Sequence, residues 1–185
     1  MTAVTFLSTN PGKAREVEEV LGPFGVHVRW RRRELPEPQA DSLEEVVRAK
    51  LDAARGVRGT CLVEDSGLFI PALHGFPGVY SAHFLKIWGF GPILTLLQGR
   101  DRGAYFRTVA GVRNGSRRAF FAGEARGRIA DRPAGHHGFG YDPIFIPRGW
   151  DRTFGEAPPQ EKNAISHRAR AIRKVGEAIS RGRFP

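Results

Sequence analysis

Residues Ala104 to Ala125 read AYFRTVAGVRNGSRRAFFAGEA, two strand-like runs at 104–112 and 117–125 on either side of Asn114-Gly115. Asn-Gly between two such runs is the strongest short hairpin signal a sequence carries, because the favoured two-residue turns need positive φ. A hairpin makes an antiparallel pair, so any sheet containing it cannot be wholly parallel.

The residues before the hairpin alternate strands with helices. AVTFLS (3–8) is a short apolar strand candidate, and 14–21 place Val17, Val20 and Leu21 on one helical face with Arg15, Glu18 and Glu19 on the other. Val26 to Trp30 alternate as a half-buried strand does, and the proline-bearing LPEPQAD (35–41) excludes a central strand there. Ser42 with Glu45 forms a capping box ahead of Leu43, Val46, Val47, Leu51 and Ala54 at helical spacing. Thr60 to Val63 predict a buried strand, Ser66-Gly67 a turn, and Leu68 to Ile70 a return to the apolar pattern. HGFPGVYSA (74–82) reads as loop, 87–98 as an apolar helical segment broken by WGFGP, and 161–179 as one basic amphipathic helix. The expectation is a single α/β domain over 1–185, with a mixed sheet and flanking helices.

Composition narrows the chemistry. The 185 residues, 41% hydrophobic, suffice for one core. There is no apolar run of eighteen residues and no signal-like start, so the chain reads as cytoplasmic with no membrane partner. The single Cys61 excludes an internal disulfide and a cysteine-rich metal site, leaving it a packing role. The net charge of +10 favours an anionic partner. Only five of the 29 basic residues are lysine, an arginine bias that a GC-rich genome or a hot habitat also produces.

Four stretches put polar or flexible residues where elements end. STNPGK, Ser8 to Lys13, joins a strand to a helix N-terminus, where unpaired amides and the helix dipole attract phosphate and Lys13 adds a full charge. It lacks the first glycine and the hydroxyl of a P-loop, and a plain capped turn is the other reading. In EDSG, Glu64 and Asp65 sit next to an apolar run and, on a strand, point to opposite faces. Buried acids need a partner, and a divalent cation is one; such a carboxylate can also take a proton from an attacking water. The alternative is a turn in which Asp65 bonds its own backbone. Glu37 in the proline-rich loop could supply a second oxygen to the same cation or be a solvated acid.

GFGYDP, Gly138 to Pro143, presents Phe139 and Tyr141 from a glycine-rich loop, for stacking on a nucleobase or for anchoring in a core. His136 and His137 lack acidic partners at ligand spacing and are set aside as metal ligands. KNAISHR, Lys162 to Arg168, gathers donors suited to an anion or a carbonyl-bearing base, or to plain solvation.

Taken in order, STNPGK at 8–13, LPE at 35–37, EDSGL at 64–68, G-x-P-G-x-Y-S-A at 75–82, GFGYDPIF at 138–145 and K-x-x-x-S-H-R at 162–168 resemble the inosine triphosphate pyrophosphatase family. The resemblance runs nearly end to end. It implies an elongated α/β fold with a central mixed sheet in two lobes, the nucleotide in a cleft between them, and a homodimer. It implies hydrolysis of ITP, dITP and XTP to the monophosphate and pyrophosphate, assisted by magnesium, with manganese as the substitute ion. By position it implies that Ser8, Thr9, Asn10, Pro11, Gly12 and Lys13 form the triphosphate turn, that Asp65 is the catalytic acid and a metal ligand, and that Glu37 is the second metal ligand. It further implies catalytic roles for Lys13 and Glu64, and a substrate contact at Ser66. Phe139, Gly140, Tyr141 and Asp142 correspond to the base-contacting loop, and Lys162, His167 and Arg168 to the purine readers. Arg168 is the expected donor to the purine 6-oxygen, which adenine lacks. Glu64 stands where some members carry a second Asp, and Thr9 where many have Gly. The other readings are a related pyrophosphatase acting on modified pyrimidine nucleotides, which leaves S-H-R unexplained, and a basic nucleic-acid-binding module using Trp30, Arg31 to Arg33 and the last helix, which leaves EDSG unused. Under the family reading nucleic acid is not a substrate.

Overall fold

The structure, a computed structural model, describes residues 2–184. In chain order the elements are β1 (Thr2–Leu7), α1 (Pro11–Leu21), β2 (Val26–Arg31), α2 (Leu43–Ala53), β3 (Thr60–Phe69), β4 (Pro77–Gly78), α3 (Ser81–Trp88), α4 (Gly91–Leu96), β5 (Gly103–Asn114), β6 (Arg117–Ile129), β7 (Phe145–Pro147), α5 (Pro159–Ile165) and α6 (His167–Ser180). The strands form one seven-stranded mixed sheet in the order β2-β1-β3-β5-β6-β7, with β4 paired to β3. β1 runs parallel to both β2 and β3, while β4 and β7 pair antiparallel. The chain is α/β, with the mixed sheet that the hairpin required.

The backbone divides into two compact units. One comprises residues up to Asp65, Thr108–Gly123 and His167 onward; the other comprises Ser66–Arg107 and Glu124–Ser166. The core of the first unit joins Val4 and Phe6 of β1, Val17 and Leu21 of α1, Leu62 of β3 and Ile172 and Val175 of α6, all fully buried. Gly123 permits α6 to lie against β6, since a β-carbon there would stand 2.3 Å from the His167 carbonyl oxygen. The core of the second unit gathers Leu68, Ile70, Ile93, Leu97, Phe106, Ile144, Phe145 and Phe154, with tilted ring contacts among Phe106, Phe145 and Phe154.

Local rules place several boundaries. Pro11 opens α1 and Asn10 caps it. Ser42 caps α2 by accepting from the Glu45 amide, and the Glu45 carboxylate in turn accepts from the Ser42 hydroxyl and the Asp41 amide. Gly115 and Ser116 join β5 to β6 as the Asn-Gly signal predicted.

Three expectations are corrected. HGFPGVYSA (74–82) is not all loop, since Pro77–Gly78 form β4 and Ser81 opens α3. Ser66-Gly67 is not a turn: β3 continues unbroken from Thr60 to Phe69. Gly67 is glycine because a β-carbon there would come within 2.3 Å of the Gly78 carbonyl oxygen, so its role is to admit β4 at close range. The final helix is not continuous either. Ser166 takes an extended conformation between α5 and α6, and serine is a residue type that favours the cap of a new helix.

Candidate active site

In the first unit, the strand β3 delivers Glu64 and Asp65 side by side, both buried. Strand alternation sends them to opposite faces of the sheet, and each meets cations there. Glu64 receives Lys13 Nζ from α1 at 2.5 Å and Arg168 Nε from α6 at 3.3 Å. Arg168 also gives Nη1 to Glu16 of α1 at 2.5 Å. Burial pushes the Glu64 carboxyl up, but the charges of Lys13 and Arg168 outweigh it and hold the group well below the usual carboxylate range.

Asp65 faces α2 instead. Its Oδ1 lies 2.8 Å from the Lys50 ammonium, which also sits 2.7 Å from Glu37 Oε1. Lys50 is buried, while Glu37 is exposed in the loop ahead of α2. Burial raises the Asp65 pKa, and the charge of Glu64 adds to that, so the group stays above its ordinary value despite Lys50 and Lys13. Burial pulls Lys50 down, but Asp65 and Glu37 more than offset it and its pKa lies above the ordinary value. A carboxylate of raised proton affinity is a better acceptor for a proton of water than a free aspartate.

The loop Ser8 to Lys13 is tied by its own side chains. Ser8 Oγ accepts from the Asn10 amide at 3.1 Å, and Asn10 Oδ1 accepts from the amides of Gly12 at 2.8 Å and Lys13 at 3.2 Å. Two of the helix N-terminal amides are therefore capped by Asn10, and Lys13 is the full charge this loop brings. Thr9 and Pro11 are exposed.

In the second unit, Asp142 organises the glycine-rich loop. Its Oδ2 accepts from the Phe139 amide at 2.8 Å and from the buried Lys162 Nζ at 2.6 Å. Lys162 Nζ lies 4.6 Å from the centre of the Phe139 ring, a cation-π distance. Tyr141 is a core residue: it is buried in the apolar cluster, its hydroxyl donates to the Ser81 carbonyl at 2.8 Å, and burial raises its pKa. Ser66 is half-buried in β3, and Gly140 is exposed.

The structure thus brings Lys13, Glu64, Asp65, Glu37 and Arg168 into one charged network in the first unit, and Phe139, Asp142 and Lys162 into one contact in the second. Arg168, expected to donate to a purine oxygen, is buried with Nε and Nη1 directed at carboxylates. His167, buried, opens α6 beside it. Two residues of this network, Lys50 and Glu16, were not singled out from the sequence. A lysine among Val46, Val47, Leu51 and Ala54 on the apolar face of the capped helix was a signal for Lys50, because a charge on such a face needs a partner.

Oxygen donors from Glu37 and Asp65 already converge on one ammonium, and hard carboxylate oxygens completed by substrate phosphates are what magnesium takes. The residues present therefore fit such an ion.

Comparison with known proteins places the chain. Residues 4–178 match the Ham1 family. A dITP/XTP pyrophosphatase of Thermococcus kodakarensis is 49% identical over 174 residues, covering 92% of this chain and 94% of the relative. A dITP/XTP pyrophosphatase of Pyrococcus horikoshii is 46% identical over 176 residues, covering 94% and 95%. The solved HAM1 protein of Coxiella burnetii superposes with a TM-score of 0.84 at 30% identity, covering 98% of this chain and all of that one. With a family match across nearly its whole length and relatives at this level of identity, the chain belongs to the Ham1 family.

Proposed function

We propose that this chain is a nucleoside triphosphate pyrophosphatase that converts ITP, dITP and XTP to the monophosphate and pyrophosphate. The observation that carries the reading is the pair of neighbouring acids in β3, each with its own lysine, next to a loop that ends in one of those lysines. The names of the curated relatives support the substrate class.

In this reading Lys13 and the Ser8 to Gly12 turn take the triphosphate. Glu37 and Asp65 would hold magnesium, which when bound neutralises phosphate oxygens. Asp65 orients a water and accepts one of its protons as the water oxygen bonds to the α-phosphorus. The bond from that phosphorus to the bridging oxygen breaks, and pyrophosphate leaves with the electron pair. Lys50 fixes the orientation of Asp65, and Arg168 with Lys13 keeps Glu64 ionised so that Lys13 stays at the loop end. Arg168 is therefore assigned to holding Glu64, and Phe139, Lys162 and His167 are kept for the base. Phe139 offers a ring face, and Lys162 and His167 offer donors suited to a 6-oxygen but not to the amino group of adenine. Ser66, Gly140 and Asp142 complete the assigned contacts.

The chain is also read as a homodimer. Around α3, Tyr80, Ile87 and Trp88 are 45%, 57% and 63% exposed, and Phe76 packs edge-on against Phe84 beside them. Apolar side chains concentrated on one short segment are what a subunit contact covers.

The reading is tested by incubating purified protein with ITP, dITP, XTP, GTP and ATP, with and without magnesium, and resolving pyrophosphate from orthophosphate. Metal-dependent pyrophosphate release from the first three alone is expected. Orthophosphate as the product, or equal turnover of ATP, refutes it. Tight salt-sensitive DNA binding without hydrolysis would favour the nucleic-acid module.

A further inference from the structure

We infer that Trp30 is a positioning residue for the phosphate loop, holding the first peptide of that loop through its indole N–H. This deepens, and rests on, the reading of Ser8 to Lys13 as the triphosphate turn.

The need for it comes from where the sheet stops. β1 and β2 pair in parallel from Thr2↔Val26 to Leu7↔Arg31. One further rung remains, from the Ser8 amide to the Arg31 carbonyl at 3.3 Å. The N–H and C=O of a strand residue point to the same side, so the Ser8 carbonyl also faces the β2 edge. In a continuing parallel ladder its donor would be the amide two residues past Arg31. β2 ends at Arg31, and the chain leaves toward the proline-rich loop. The Trp30 indole takes that carbonyl instead, with Nε1 2.8 Å from Ser8 O. A side chain thus replaces the missing rung.

The consequence runs along the loop. Fixing the Ser8 peptide fixes the position of Ser8 Oγ, which accepts from the Asn10 amide, and Asn10 Oδ1 then accepts from Gly12 and Lys13. The chain of contacts ends at Lys13, whose ammonium meets Glu64. Without the indole, Ser8 is tied to β2 by its amide alone, and its carbonyl is left to water. Trp30 is 43% exposed, so it belongs to no core whose loss would dominate the effect of replacing it.

The test compares Trp30→Phe, which keeps a ring and loses the donor, with Trp30→His, whose Nε2 lies the same number of bonds from Cβ as the indole nitrogen. Three readouts are taken: hydrogen exchange of the Asn10, Gly12 and Lys13 amides in ligand-free protein, the affinity for inorganic tripolyphosphate with magnesium, and kcat and KM on ITP. For Trp30→Phe the expectation is roughly two- to tenfold faster exchange, tripolyphosphate binding weaker by a similar factor, and KM raised by that factor while kcat stays within about twofold. Trp30→His at a pH where imidazole is neutral should recover most of this. Unchanged exchange in Trp30→Phe overturns the pin itself. Faster exchange with unchanged tripolyphosphate affinity also overturns the proposal, by showing that the held loop is not the one that takes phosphate. Wild-type protein that binds tripolyphosphate yet leaves ITP intact would instead refute the proposed reaction, with the loop result still standing.

Discussion

Glu64 and Asp65 are adjacent in β3, yet their carboxylates serve different helices: Glu64 lies between Lys13 of α1 and Arg168 of α6, and Asp65 lies against Lys50 of α2. One strand step separates a carboxylate held below its ordinary pKa from one held above it. Groups pushed apart in this way take different roles.

Asp65→Asn keeps the shape and an acceptor for Lys50, which retains the Glu37 carboxylate as its counter-ion, but removes the proton acceptor. Turnover of ITP should fall at least about 100-fold with the melting temperature little changed. Pyrophosphate release and thermal unfolding measured on the same preparation check this, and retained turnover would move the base elsewhere.

Glu64→Gln leaves Lys13 and the buried Arg168 without their shared carboxylate. Breaking a buried pair on one side costs about 3–5 kcal/mol, which urea unfolding at neutral pH would read. The folded pKa of Glu64 is depressed, so its contribution is full above its ordinary 4.5 and declines as pH falls below that. The gap between wild type and variant should therefore narrow in acid. A gap that is constant or widens there contradicts the assignment.

Gly67→Ala places a methyl group 2.3 Å from the Gly78 carbonyl oxygen, where backbone rather than a flexible side chain must yield. Overpacking of this kind costs about 1–3 kcal/mol. An unchanged melting temperature would show that β4 does not pack on β3 at this point.

Replacing both Ile87 and Trp88 with Glu puts charge on the exposed apolar face of α3. Light scattering should report half the wild-type mass at equal concentration, with circular dichroism unchanged. A mass that does not change refutes α3 as a subunit contact.

What could be read from the sequence was local. The capped turn at 8–13, the Ser42 and Glu45 box and the hairpin at 114–115 each depend on residues within a few positions, and each is in the structure. The contacts between distant residues were not legible. Ser66-Gly67 resembles a turn by local preference, and only the approach of Gly78 shows why a glycine sits within a strand. Arg168 reads as a free donor until Glu16 and Glu64, 152 and 104 positions away, are seen to face it. Lys50 lay in plain view on an apolar face, and its partners are 13 residues before it and 15 after.

That lysine between Glu37 and Asp65 has a bearing on storage and handling. Small proteins whose acids or thiolates are held together by an ion come apart when a chelator removes it. Here the two acids already have a counter-ion built into the fold. Under the proposed magnesium dependence, dialysis against a chelating buffer should idle the enzyme without dismantling it, and restoring the salt should return activity with no refolding step.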